Sequence, residues 1–102
     1  MRNIISKIVT LNYDFLNDGI KVMEYIDRID ALYSGEVYDC EITGRDNERT
    51  YFLIQELYDS IHHCIKRSEL KEHNIYIDID KKKLTDVVEI YNKKLEKINA
   101  RS

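Results

Sequence analysis

Residues 47–67 read NERTYFLIQELYDSIHHCIKR, and their spacing decides the fold class. At about 100° per residue, Tyr51, Ile54, Leu57, Tyr58, Ile61, Cys64 and Ile65 fall on one side of a helix. This is the i, i+3, i+4, i+7 repeat of an element that buries one face. Asp46 or Asn47 supplies a side-chain oxygen for the free amides of the first turn. Glu48 places negative charge where the helix dipole favours it, and Lys66 and Arg67 place positive charge in the last turn. Pattern, cap and charge therefore agree on a helix over 47–67.

Phe52 breaks the stripe. It points to the side that carries Glu56, Asp59 and His63. One reading packs Phe52 under the N-terminal helix or a loop. The other makes it an exposed aromatic anchor ringed by polar groups, the composition of a binding hot spot.

Residues 2–33 carry a broad apolar stripe of Ile4, Ile5, Ile8, Phe15, Leu16, Val22, Met23, Ile26, Ile29 and Tyr33, which predicts a long helix. Unbroken, it would run about 45 Å. Asn12 or Asp14 offers a cap for a fresh start if the helix breaks there. Gly19 falls on the apolar side. Because glycine inside a helix costs about 1 kcal/mol against alanine, it points either to close approach by another helix or to simple tolerance. Gly35 is placed to end this helix in the C′ role.

Residues 36–43, EVYDCEIT, alternate in polarity, as do residues 75–80, IYIDID. Both fit short edge strands or extended connectors, and as strands they could form a ribbon beside the helices. Asp80 caps a last helix over 81–100, whose stripe is Leu84, Val87, Val88, Tyr91, Leu95 and Ile98. The expected architecture is mostly α: a small bundle of three long helices (2–33, 47–67, 81–100) in one domain spanning 1–102, with short edge strands as its only extended elements. Three such stripes on so short a chain exceed what one protomer readily buries, so a homodimer is expected.

The chain has 102 residues, of which 34% are charged, with no proline and a net charge of −3. This balance disfavours a nucleic-acid partner. Acidic residues crowd the first half, where Asp27 and Asp30 lie, while lysines gather in Lys81, Lys82, Lys83, Lys93 and Lys94. An acidic face of that kind suits a protein with a basic surface. Cys40 and Cys64 fit neither zinc nor redox spacing, and Cys64 reads as a small buried hydrophobe. No secretory signal and no apolar run of membrane length is seen, so the expected setting is cytoplasmic and reducing, without a membrane. No cofactor or metal is expected.

Three constellations could carry chemistry. His62 and His63 lie near Glu56 and Asp59, and Asp59 and His63, four apart, can meet on a helix. Adjacent histidines diverge by about 100° and make a poor metal pair. Asp78 and Asp80 share one side of a strand with Tyr76, but no third ligand follows; Asp80 reads more simply as a helix cap. Lastly, Arg67 and His73 stand in RSELKEH, followed by Tyr76 and Ile79-Asp80.

This last pattern resembles the Arg-x4-6-His motif of the HEPN superfamily and its HepT-like toxins. The resemblance covers about the last third of the chain. It departs at Ser68, where the family often has Asn, and at Tyr76, one residue later than the commonest spacing; a helical segment that usually precedes the motif is also missing. It implies an all-α, dimeric RNA-cleaving or RNA-modifying domain, with Arg67 steadying a phosphate and His73 as acid or base. On the residues themselves, the leading expectation is a non-enzymatic protein that binds another protein, of the inhibitor, immunity or anti-defence type. The binding residues would be Phe52, Glu56, Asp59, His63, Asp27 and Asp30. The richness in Ile, Lys, Asn and Tyr fits a phage or mobile element of an AT-rich host. A structural subunit of a helical assembly is the third reading.

Overall fold

In a computed structural model of the chain, residues 2–37, 45–69 and 75–101 are described. The element order is α1 (Arg2–Leu16), α2 (Val22–Leu32), a π-helical turn (Tyr33–Val37), α3 (Arg45–His63), β1 (Ile65–Glu69), β2 (Ile75–Ile79) and α4 (Lys81–Arg101). The fold is mostly helical. Four helices stand where three were expected, and each departure has a local cause.

The expected helix over 2–33 is two helices. The break falls at 17–21, beyond the proposed cap at Asn12 or Asp14. Asp18 turns left-handed at φ 59°. Its amide bonds the Phe15 carbonyl at 3.1 Å, and the Gly19 amide bonds the Asp14 carbonyl at 2.7 Å. This pair of bonds is the Schellman closure of a helix C-terminus. A Cβ on Gly19 would sit 3.0 Å from the Asp14 carbonyl oxygen. Gly19 thus meets the end of its own helix, not a neighbouring one. Nor does Gly35 stop α2. The C-cap is Tyr33 in αR geometry, and the backbone runs on into the π-helical turn. The strand expected over 36–43 starts inside that turn, and its remainder lies outside the described residues.

The helix expected over 47–67 ends earlier, at His63. After Cys64, residues Ile65–Glu69 form β1, which pairs antiparallel with β2 in the register Ile65↔Ile79, Arg67↔Ile77 and Glu69↔Ile75. Among the described residues the ribbon is β1 with β2; the expected partner over 36–43 lies mostly outside them. Asp80 then acts as the cap: its Oδ1 accepts from the Lys83 amide at 3.1 Å, and its own amide returns to the Cys64 carbonyl at 3.0 Å. The C-terminal helix, expected over 81–100, is α4.

One apolar cluster joins all four helices. Ile4, Ile5, Ile8, Leu11 and Phe15 enter it from α1, Tyr25, Ile26 and Ile29 from α2, Ile54, Leu57 and Ile61 from α3, and Leu84, Val88 and Leu95 from α4. α1 packs between α2 and α4, α4 packs on α3, and α3 closes back on α2. Met23, expected inside, is exposed, and Tyr25 beside it is fully buried. The Tyr25 ring stacks on Phe15 at 4.6 Å. Cys64 is buried and its thiol donates to the Ser60 carbonyl at 3.3 Å, as its place on the core stripe suggests.

Candidate functional site

α3 is cylindrical, so the residues beside its buried stripe must face either α2 or solvent. Tyr51, Tyr58 and His62 border the stripe, and all three are half-buried. From α2 and its continuation, Asp30 and Tyr33 reach across to them. Tyr33 and Tyr58 stack nearly parallel, with ring centroids 4.0 Å apart and 6° between planes. The His62 ring tilts against the other side of Tyr58 at 4.4 Å. His62 Nε2 lies 2.9 Å from Asp30 Oδ1, and Asp30 lies within electrostatic reach of the Tyr58 hydroxyl. Tyr51 lies within electrostatic reach of the Tyr33 hydroxyl. The result is a column of rings fixed by one carboxylate.

The environment acts on the phenols. Partial burial, with Asp30 and Asp59 nearby, pushes the Tyr58 hydroxyl above its ordinary value. Tyr33 moves the same way, first by desolvation and then through Tyr51 and Asp59. Asp59 therefore lies within electrostatic reach of both stacked rings.

Farther round α3, Phe52, Glu56, Asp59 and His63 are all exposed. Phe52 is 53% exposed and meets the Tyr51 ring edge-on at 6.1 Å. Of the two placements read for Phe52, packed or exposed, the exposed one is found. Asp27 is exposed on α2, one turn from Asp30. From Thr50 to Ile65 the chain carries no Lys or Arg. Arg28, the one cation of α2, pairs with Glu24 at 2.6 Å and lines the opposite groove, against α1. The ring column and the Phe52 ridge therefore form one aromatic and acidic surface.

Phe52, Glu56, Asp59 and His63 thus share one α3 face, and Asp30 joins it to α2. Sequence reasoning placed Tyr33 and Tyr58 on core stripes and named His62 only beside His63, not with Asp30. His62, not His63, makes the contact to a carboxylate, and the carboxylate is Asp30, not Asp59. Arg67 lies on β1, not on a helix, and His73 lies outside the described residues. Asp78 pairs with Lys66 in the ribbon register, and Asp80 is spent on capping α4. Among the described residues, no three His, Cys, Asp or Glu side chains are placed to hold a metal ion, and no helix is long and apolar enough to cross a membrane. No protein-family model, curated protein or solved structure matches the chain.

Proposed function

We propose that the chain is a non-enzymatic protein that binds another protein through the α2–α3 face, an inhibitor, immunity or anti-defence protein of a phage or mobile element. One observation carries this reading. Phe52 stands exposed near a fixed ring column and four carboxylates, Asp27, Asp30, Glu56 and Asp59, with Arg49 the one Lys or Arg of α3 beside it. Exposed aromatics on a rigid base, rimmed by charge, are the composition of interface hot spots. A partner with a basic surface meets this face with complementary charge. The buried free thiol of Cys64 suits a reducing, cytoplasmic setting.

A homodimer belongs to the same proposal. The radius of gyration is 14.6 Å, against about 13 Å for a compact chain of this length. An open depression of about 500 Å³ between α1 and α2 is floored by Leu11 and Leu32 and rimmed by Lys7, Asp14 and Arg28. Its mixed charge suits a two-fold contact, in which each patch meets its own copy.

The test is affinity capture from the native host with wild-type protein, Phe52→Ala and Asp27→Lys. Both variants keep the wild-type melting midpoint and lose the captured partner. Capture that survives both substitutions removes the case for this surface. RNA cleavage by pure protein that vanishes in His73→Ala would replace this reading with the ribonuclease one. Sedimentation at high concentration decides the dimer: a monomer there ends that part of the proposal.

A further inference from the structure

Two ridges of the bundle carry an exposed apolar side chain in a row of charges, and the two rows have opposite signs. Phe52 and Ile90 are each 53% exposed, more than Tyr13 or Met23. On α3, Arg49 stands one turn before Phe52, Glu56 one turn after it and Asp59 two turns after it, all exposed. On α4, Asp86 stands one turn before Ile90, Lys94 one turn after it and Lys97 two turns after it, again all exposed. Lys94 Nζ lies 5.0 Å from the centre of the Tyr91 ring, which holds it beside Ile90. Residues three, four and seven apart share one helix face. The row around Ile90 is therefore the row around Phe52 with its signs exchanged.

We infer that a second copy of this chain docks head-to-tail, with the Phe52 ridge of α3 in one copy lying parallel on the Ile90 ridge of α4 in the next. With Phe52 against Ile90, Glu56 meets Lys94, Asp59 meets Lys97 and Arg49 meets Asp86. Near the start of α3, Glu48 comes level with Asp86 and Arg45 with Lys83, so that end is balanced in charge. Glu89, next to Ile90, points about 100° aside. Reversing the direction would set Glu56 on Asp86 and Arg49 on Lys93 in the two turns that flank the anchors, so charge selects the parallel arrangement. Exposed pairs are weak singly; here three act beside two apolar anchors that leave water together. Each copy carries both ridges, so a pair leaves one of each open and can extend. The inference goes beyond the protein-binding reading, because a foreign basic partner and a second copy would compete for the same Phe52 face. It is also distinct from the two-fold α1–α2 contact.

The experiment is amide NMR on the full chain. Wild-type amides shift with concentration on two separate ridges, centred on Phe52 and on Ile90, and the shifts vanish in about 1 M salt, where the Debye length is about 3 Å. Phe52→Lys and Ile90→Lys, both at exposed positions, each weaken the association at least about tenfold. Isotope-labelled Phe52→Lys then shifts on α4 alone when unlabelled Ile90→Lys is added, and labelled Ile90→Lys shifts on α3 alone in the converse mixture, because each variant keeps one intact ridge. Asp59→Lys or Lys97→Glu alone weakens the association about tenfold, and the two together in one chain restore it. Amides unchanged with concentration up to about 1 mM overturn the inference. So do shifts confined to one ridge, as a self-matched contact gives, or shifts indifferent to both lysine variants, as the α1–α2 contact gives. A foreign protein or nucleic acid captured through Ile90 by a chain that stays monomeric also overturns it. Foreign capture lost in Phe52→Ala without self-association leaves the protein-binding reading standing alone. Self-association with capture indifferent to Phe52 does the reverse.

Discussion

Asn12 on α1 donates from Nδ2 to Oδ1 of Asn92 on α4 at 3.1 Å, and its own Oδ1 accepts from the Tyr25 hydroxyl of α2 at 2.6 Å. All three side chains are buried, so one polar chain pins three helices inside the apolar cluster. Removing the middle member strands two buried groups, and a stranded group loses its full desolvation energy. Asn12→Ala is expected to destabilise the fold by about 2–4 kcal/mol. Replacing all three, as Asn12→Leu, Tyr25→Phe and Asn92→Leu, recovers much of that loss because no partner is left unpaired. Urea unfolding checks both. A loss in Asn12→Ala no larger than that of an exposed substitution would refute the linkage.

The α1–α2 joint holds a non-glycine residue where glycine is usual. Asp18 lies at φ 59°, a region that disfavours most side chains, although Asp tolerates it better than others. Asp18→Gly is expected to stabilise by about 0.5 kcal/mol, the relief of strain being partly offset by a more flexible unfolded chain. Asp18→Val is expected to destabilise by more than 1 kcal/mol or so, because a β-branched side chain fits that region worst. Gly19→Ala also destabilises, since its Cβ would press on the Asp14 carbonyl. Thermal unfolding of the three variants gives the order.

The joint shows why the helix count was misread. The apolar rhythm of Phe15, Leu16, Ile20 and Val22 crosses it without a missed beat, and periodicity alone sees one helix. The local signal was Asp18-Gly19, a turn dipeptide. β1 was hidden differently. Ile65 falls on the α3 stripe, so the helical pattern runs past the true end of α3. Only pairing with β2 makes 65–69 a strand, and that pairing depends on residues ten or so positions away. The core stripes of α3 and α4 were readable because each is set within its own helix.

Burial pushes the Tyr25 hydroxyl far above its ordinary value, and partial burial moves Tyr33 and Tyr58 the same way. The folded state thus keeps these protons above pH of about 10, where an unfolded tyrosine releases its own. Their contribution to stability is fully present below that pH and is lost as pH rises beyond it. The urea midpoint is expected to be flat in this respect from pH 8 to 9.5 and to fall above about 10. Tyr25→Phe, though less stable throughout because Asn12 loses a donor, shows a shallower fall. An unchanged slope in that variant would mean Tyr25 does not drive the alkaline loss.

The site was readable only where it lies on one helix. Phe52, Glu56, Asp59 and His63 repeat at helical spacing, so their common side followed from the pattern, while the exposure of Phe52 did not. The ring column combines α3 with the turn after α2, and no single-helix pattern contains it. Nor does sequence spacing reveal that Asp30 meets His62, 32 positions away. Arg67, where a motif spacing suggested a site, stands on a ribbon strand, and His73 lies outside the described residues.

Asp30 and Asp59 are both acidic and both belong to the face, yet they are expected to respond differently to neutralisation. Asp30 is tied to His62 and raises the nearby Tyr58 hydroxyl, so it positions the column. Its side chain is 38% exposed and that of His62 is 32% exposed, so solvent screens the pair and its net worth is modest. Asp30→Asn is expected to lower stability by about 0.5–1 kcal/mol and to weaken partner binding by loosening Tyr58. Asp59 is exposed. Asp59→Asn is expected to leave stability within about 0.5 kcal/mol of wild type and to weaken binding alone. Urea unfolding and affinity capture with both variants separate the roles. Equal stability losses in the two would show that Asp59 supports the fold, and would leave the face without its free carboxylate.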